Sequence, residues 1–160
     1  MIREIHREDI PACAAVIRAA FLTVARAYGI TRENAPRFTA FSVTEETLLR
    51  RMTEGRRMYA YEEQGGQIVG FYALTQQGPD ACELNQLCVL PDFRRQSIGS
   101  AMLSDACERA GKMGCKVLRL GIVEENAPLR AWYERRGFTH TRTEQFDFFP
   151  FACGCMEKAL

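Results

Sequence analysis

The chain is predicted to fold as one α/β domain, α+β in its mixed strand directions, built on a sheet of about six to seven strands. Three observations predict it. The 160 residues, 47% of them hydrophobic, suffice for one core and are too few for two comfortable domains. Short β-rich runs alternate with helical patterns from end to end, with no repeat, low-complexity tract or linker between them. "ELNQLCVL" and "KVLRLGIV" flank a helical pattern, and such a crossover makes the two strands parallel with a right-handed connection.

The elements follow in order. "MIREI" is a first strand, after which Asp9 caps a helix that has Pro11 in its first turn and runs through "ACAAVIRAAFLTVARAYG" to a stop at Gly29. "ITRENAPRFTAF" mixes breakers and polarity; Ser42 and Glu45 then stand at capping-box spacing before a second helix, "EETLLRRM". "RMYAYEEQ" and "QIVGFYALTQ" form a hairpin around Gly65 and Gly66. "ELNQLCVL" is a strand closed by Pro91. From Ile98, apolar residues at Met102, Leu103, Ala106, Ala110 and Met113 mark a helix ending near Gly114, and "KVLRLGIV" is a buried strand. Asn126 caps a short helix with Pro128 in its first turn and Gly137 at its end. "FTHTRTEQF" and "FACGCMEKAL" supply closing strands.

Composition excludes several function classes. Lysine plus arginine exceed aspartate plus glutamate by 21 to 20, which leaves no general field to collect nucleic acid or an anionic membrane. "MIREIHREDI" has no apolar signal core, and no later run approaches a membrane span, so a soluble cytoplasmic protein is expected, with neither nucleic acid nor membrane as partner. The seven cysteines are an odd number without a secretion signal, and reduced thiols are expected. Cys153 and Cys155 form a C-G-C that lacks the further ligands of a zinc site, so no metal is expected. Cys13 and Cys107 sit at helix-core spacing as small hydrophobes.

"FRRQSIGSAM", between a strand and a helix, is where unpaired backbone donors and a helix dipole would meet a phosphate. Gly99 in the first turn costs roughly 1 kcal/mol relative to alanine, a cost that close approach of a ligand explains; a plain helix start accommodates it as well. The sequence here resembles the GCN5-related N-acetyltransferase (GNAT) family, whose acetyl-CoA loop follows R/Q-x-x-G-x-G/A. "RRQSIG", Arg94 to Gly99, fits except at Ser97. "ELNQLCVLPDFR" and "EENAPLRAWYERRGF" extend the likeness. The resemblance implies a single N-acetyltransferase domain over residues 1–160, helices on both sheet faces, and acetyl-CoA bound where a parallel strand pair splays apart. It implies pantetheine pairing with the backbone of Leu87, Cys88 and Val89, and phosphate binding over Arg94, Arg95, Gln96, Ser97, Ile98, Gly99 and Ser100. If the loop is left-handed at Ser97, serine is strained by about 1–2 kcal/mol; otherwise its hydroxyl caps the helix or bonds a phosphate oxygen, the case expected here.

An amine must be neutral to attack a thioester, yet an alkyl amine of pKa near ~10.4 is protonated at neutral pH. Glu83 and Asn85 open the strand leading to the cofactor, and of the two only Glu83 can serve as base, directly or through ordered water; its plainer reading is a solvated strand-end carboxylate. Asn126 and Tyr133, seven apart, share a helix face. Asn126 reads as an N-cap and Tyr133 as part of an apolar stripe, while the resemblance gives the first a cofactor contact and the second the protonation of the departing thiolate. Cys88 has no histidine near it in sequence and is not expected to act as nucleophile. Phe21, Tyr28, Arg37, Phe38 and Phe41 fall where the family lines its acceptor site, though core packing explains the aromatics too. His6 and His140 lack a triad pattern and read as structural. The resemblance thus implies acetyl-CoA as co-substrate and direct transfer to a primary amine of a small molecule or peptide. A non-catalytic CoA-binding regulatory module and a nucleotide-binding domain are the rival readings. The acceptor and the oligomeric state, a homodimer among the options, stay open.

Overall fold

The computed structural model describes residues 1–160. Its strands are β1 (Ile2–Glu4), β2 (Arg57–Glu62), β3 (Ile68–Gln77), β4 (Ala81–Val89), β5 (Val117–Val123), β6 (Thr139–Gln145) and β7 (Ala152–Ala159). Its helices are α1 (Ile10–Ala27), α2 (Thr39–Ser42), α3 (Glu45–Thr53), α4 (Ile98–Lys112) and α5 (Ala127–Glu134). All seven strands join one sheet in the order β1-β2-β3-β4-β5-β7-β6. The expected hairpin is β2–β3, and the expected crossover is β4–α4–β5 with its two strands parallel. The order of the last two strands was not legible: β7 inserts between β5 and β6 and pairs with β5 from Val117 to Val123.

β4 and β5 pair only at Ala81 with Val117, Cys82 with Leu118 and Glu83 with Arg119. Beyond that they part. β5 is held straight by β7, whereas β4 follows β3 through a bulge: its register shifts between Phe71 and Ala73, and Gln86 takes a left-handed φ of 57°. A bulge bends its strand and increases local twist. The edge of β4 from Leu84 to Val89 is therefore left without a strand partner on the β5 side, and a cleft opens there.

Alternation along the strands sorts the core into two layers. Met58, Ala60, Phe71, Ala73 and Cys88 pack against α1 and α3. Tyr72, Leu74, Cys82, Leu84, Leu118, Leu120 and Met156 pack beneath Met102, Leu103 and Ala106 of α4, with Tyr133 of α5 at the margin. Helices thus cover both faces. Gly70 sets how closely α4 lies, since a Cβ there would stand 2.6 Å from the Met102 sulfur. The Cys82 and Cys115 sulfurs face each other across this unit with Cα atoms 6.0 Å apart, within the span a disulfide bridges, where the sequence led us to expect reduced thiols throughout.

Local signals were partly displaced. Asp9 does not cap α1; its carboxylate accepts from the His6 amide at 2.6 Å and pairs with Arg3 at 2.7 Å, fastening the turn before the helix to β1. That guanidinium holds the Asp9 carboxyl below the usual carboxylate range. The second helix is capped by Thr44, whose hydroxyl accepts from the Thr47 amide at 3.2 Å while Thr47 reciprocates; Ser42 instead ends α2. The stretch Arg7–Ala27 is long and apolar enough to cross a membrane, with mean hydropathy 1.5, contrary to expectation. In the fold, Ile10, Cys13, Ala14 and Ile17 bury one side of it against the sheet.

Candidate active site

The cleft between the parted strands has a volume of about 1230 Å³ and is lined by parts of α1, α3, β4, β5, α5, β6 and β7. Pockets for one small ligand span about 300–1,000 Å³, so this one has room for two reactants. At one end lies the loop from β4 to α4. The backbone N–H groups of Arg95, Gln96, Ser97, Ile98, Gly99 and Ser100 donate to no protein acceptor, the first returning bond being Ala101 to Ser97 at 3.0 Å. Six consecutive free donors at the positive end of a fifteen-residue helix form an anion cradle. A methyl group at Gly99 would lie 3.6 Å from the Trp132 ring, an ordinary contact. Protein packing alone does not demand glycine there.

Ser97 departs from expectation. Its φ of 64° and ψ of 7° are left-handed, and its hydroxyl makes no cap. Arg95 is left-handed as well, at φ 62°. Such turns, followed by the right-handed helix at Ile98, point successive N–H groups inward as an anion nest. Serine is tolerated at a position shaped for glycine, and it carries the strain that the first of the two readings described.

The side chains of the loop divide the work. Arg94 is spent on the protein: it donates to the carbonyls of Val89 and Ala20, each at 3.2 Å, and to the Thr23 hydroxyl at 3.1 Å, which fixes the loop to α1. Arg95 and Gln96 are exposed, and neither makes a side-chain bond. Ser100 accepts from Arg136 at 2.8 Å, and the Arg136 guanidinium lies 3.9 Å from the centre of the Trp132 ring. Arg136 thus ties α5 to the start of α4.

Leu87, Cys88 and Val89 lie past the bulge on the unpaired edge of β4, facing α5 across the cleft. Asn126 caps α5, its side-chain oxygen accepting from the Leu129 amide at 3.2 Å. One turn pair later Tyr133 is buried between Trp132 and Phe138, with ring centroids 5.0 and 5.3 Å away. Its hydroxyl bonds no protein group and is not sealed from the cleft. Burial, with the Cys88 thiol as a second contribution, raises the phenol above its ordinary value, so it holds its proton at neutral pH. Burial also pushes the Cys88 thiol up to about 12, which keeps it un-ionised and a poor nucleophile.

At the other end of the cleft, Glu83 faces the open side of the sheet with Arg119 in register beside it. Its carboxylate accepts from the Gln77 side chain at 2.6 Å. The neighbouring cleft carboxylates are ion-paired, Glu157 with Arg119 at 2.8 Å and Glu144 with Arg142 at 2.6 Å. Glu83 alone of the three has no cationic partner. Asn85 accepts from Thr75 at 2.8 Å. Phe21 and Phe38 line the cleft as expected, whereas Tyr28, Arg37 and Phe41 do not: Arg37 lies over Phe148 at 3.7 Å, and Arg32 over Phe41 at 5.2 Å. Phe146, Phe149 and Phe151, from the link between β6 and β7, complete the wall; the run "FDFFPF" was their signal in the sequence. His140 has a partner after all, Glu124 at 3.0 Å, and neither residue lines the cleft.

A splayed parallel strand pair beside a donor-rich loop and a helix N-terminus is the arrangement of an acyl-CoA-dependent transferase. The family model "Acetyltransferase (GNAT) family" matches residues 24–138, and the chain belongs to that family. It is 28% identical to the uncharacterized N-acetyltransferase YjgM of Escherichia coli K12 over 97% of this chain and 86% of that one. To the ribosomal protein bS18 alanine N-acetyltransferase of the same organism it is 31% identical, over 72% and 76%. Among solved structures it superposes on the PaiA N-acetyltransferase of Thermoplasma acidophilum in complex with coenzyme A with a TM-score of 0.82 at 20% identity, over 100% and 98% of the two chains. The ribosomal-protein-alanine N-acetyltransferase of Brucella melitensis gives 0.75 at 25% identity, over 100% and 99%. The protein is an acetyl-CoA-dependent N-acetyltransferase, and the readings as a non-catalytic CoA module or a plain nucleotide-binding domain give way to this.

Proposed function

We propose that the enzyme transfers acetyl directly from acetyl-CoA to the primary amine of a small molecule or peptide, with both substrates in the cleft at once. The observation that carries this is the placing, in one cleft, of an unpaired strand edge beside six free backbone donors and, further along the same strand, a carboxylate without a cation. The amides of Leu87 to Val89 pair with the pantetheine arm as a partner strand would, and the donors from Arg95 to Ser100 take the pyrophosphate, with Asn126 beside them. A Cys88 or Val89 amide meets the thioester oxygen as charge develops on it. Glu83, directly or through water, takes the proton of the acceptor ammonium; the amine nitrogen bonds to the acetyl carbon as the C–S bond breaks. Tyr133 gives its proton to the departing sulfur and regains one from water, to which the nitrogen passes the second proton it sheds in becoming an amide.

Relatives named as ribosomal-protein alanine N-acetyltransferases support a peptide α-amine as one acceptor class. A transfer screen over polyamines, aminoglycosides, amino acids and peptides, with thiol release followed and product mass measured, tests the proposal. An acetylated product from at least one class is expected. Acetyl-CoA binding without transfer to any of them would refute it.

A further inference from the structure

The cationic side chains of the cleft are nearly all accounted for. Arg94 is bound to carbonyls and a hydroxyl, Arg119 and Arg142 to carboxylates, and Arg136 to Ser100 and the Trp132 ring. Arg95 belongs to the anion cradle. Two remain, Arg51 at the end of α3 and Arg56 just before β2, and both line the cleft. Arg51 is half-buried, and its one hydrogen bond is to the Gln86 side chain at 3.3 Å. No carboxylate stands within ion-pair distance of either residue, although the nearby Arg50 has Glu54 at 3.9 Å. Burial, then the like charges of Arg56 and Arg50, draw the Arg51 guanidinium below its ordinary pKa. A partly desolvated cation without a counter-charge is costly to a fold and well suited to an anionic ligand.

Resting on the direct-transfer reading above, we infer that the acceptor is a small amine bearing a carboxylate or comparable anionic group close to its nitrogen, held by Arg51 with help from Arg56. The spacing restricts its size. Gln86, to which Arg51 is bonded, stands two to three positions before the Cys88 and Val89 amides that meet the thioester, so the anion and the attacking nitrogen are separated by no more than about three residues of strand. Charge is sorted along the cleft to match: Glu83 meets the ammonium and the two arginines meet the acid. Two uncompensated guanidiniums at the same site disfavour an acceptor with several positive charges and no acid, such as a polyamine.

The test compares free amino acids with their carboxamides and with spermidine, reading kcat/KM from thiol release for the parent protein and for Arg51→Gln, Arg51→Lys and Arg56→Gln. Calorimetric acetyl-CoA affinity and thermal melts are measured on each. For at least one amino acid, the acid is expected to exceed its amide by tenfold or more. A charge-assisted hydrogen bond carries roughly ten- to a hundredfold, so Arg51→Gln should bring the acid-to-amide ratio near unity. Arg51→Lys should keep part of the preference, Arg56→Gln should lose a smaller part, and acetyl-CoA affinity should stay within about twofold in all three, because the CoA contacts are elsewhere. Preference for amides or spermidine, or an acid-to-amide ratio unmoved by Arg51→Gln in a folded protein, overturns the inference while leaving direct transfer intact. Acetyl-CoA binding with no transfer to any acceptor overturns both.

Discussion

Replacing Ser97 separates the two jobs that a side chain and a backbone do at the CoA loop. A non-glycine residue in the left-handed region pays about 1–2 kcal/mol, and Ser97 at φ 64° recovers none of it through a hydrogen bond. Glycine removes that strain but frees the unfolded chain at a cost of roughly 0.4–1 kcal/mol. Ser97→Gly is therefore expected to stabilise by about 0.5–1 kcal/mol, a Tm increase of about 1–4 °C for a chain of this size. Ser97→Ala keeps the strain and deletes only the hydroxyl. Its Tm should stay within about 2 °C of the parent, on the same scale. Acetyl-CoA affinity should change by no more than a few fold in either variant, since the cradle consists of backbone donors and a neutral hydrogen bond has a ceiling near ~1.5 kcal/mol. Differential scanning calorimetry and isothermal titration on the three proteins measure both quantities. A lower Tm for Ser97→Gly, or a loss of affinity beyond about tenfold in Ser97→Ala, would refute the reasoning.

Glu83→Gln should retain acetyl-CoA binding and slow transfer by roughly 10²–10⁴, most severely at the lower end of the pH range, where neutral amine is scarcest; an unchanged pH–rate profile would move the base elsewhere. Tyr133→Phe should lower single-turnover transfer by roughly ten- to a thousandfold with little effect on acetyl-CoA affinity, and transfer at the parent rate would reduce Tyr133 to core packing. Breaking the Cys82–Cys115 link by Cys115→Ser should cost about 2–4 kcal/mol, the usual range for a bridge of such loop length, seen as a Tm drop of at least 4 °C; coincident melts would rule the link out. Burial raises the thiols of Cys13 and Cys88 from 9.0 to about 12. The unfolded chain therefore releases these protons first as pH rises, and their stabilising effect, complete below about 9, declines toward 12. Denaturant midpoints measured across that interval should fall, and fall less in the Cys13→Ala, Cys88→Ala double variant.

What the sequence disclosed depended on how local each cause was. The Gly65–Gly66 hairpin, the β4–α4–β5 crossover and the Asn126 cap rest on residues within a few positions of one another, and all three formed as expected. Thr44 displaced Ser42 as cap because two short polar residues compete there, and only Thr44 finds a reciprocating hydroxyl three residues on. Ser97 was misread because a sequence shows which residue stands in a loop and not the φ imposed on it. Arg51 escaped notice entirely: on α3 it looks like any solvated helix arginine, and its partner Gln86 is thirty-five residues away. The Cys82–Cys115 pair, thirty-three residues apart, was hidden for the same reason.

The bulge at Gln86 acts as a phase shift in a wave of period two. Opposite β3, Ala73 faces Asn85 and Phe71 faces Cys88, so one strand spends two residues where its neighbour advances by one fewer step. Asn85 and Cys88, an odd number apart, consequently look to the same side, and Leu87 and Val89 turn toward the α4 layer, against which they pack. The frame of everything downstream on β4 hangs on a single inserted position. A change of identity at Gln86 alters one side chain and one φ; glycine would fit best there, and a β-branched residue worst. Loss of the position is a different kind of event: it would invert the parity of Leu87, Cys88 and Val89 together, driving two bulky chains into the α1 layer and swinging the thiol out of it. Insertions and deletions, far more than substitutions, are therefore the changes this strand is least able to absorb.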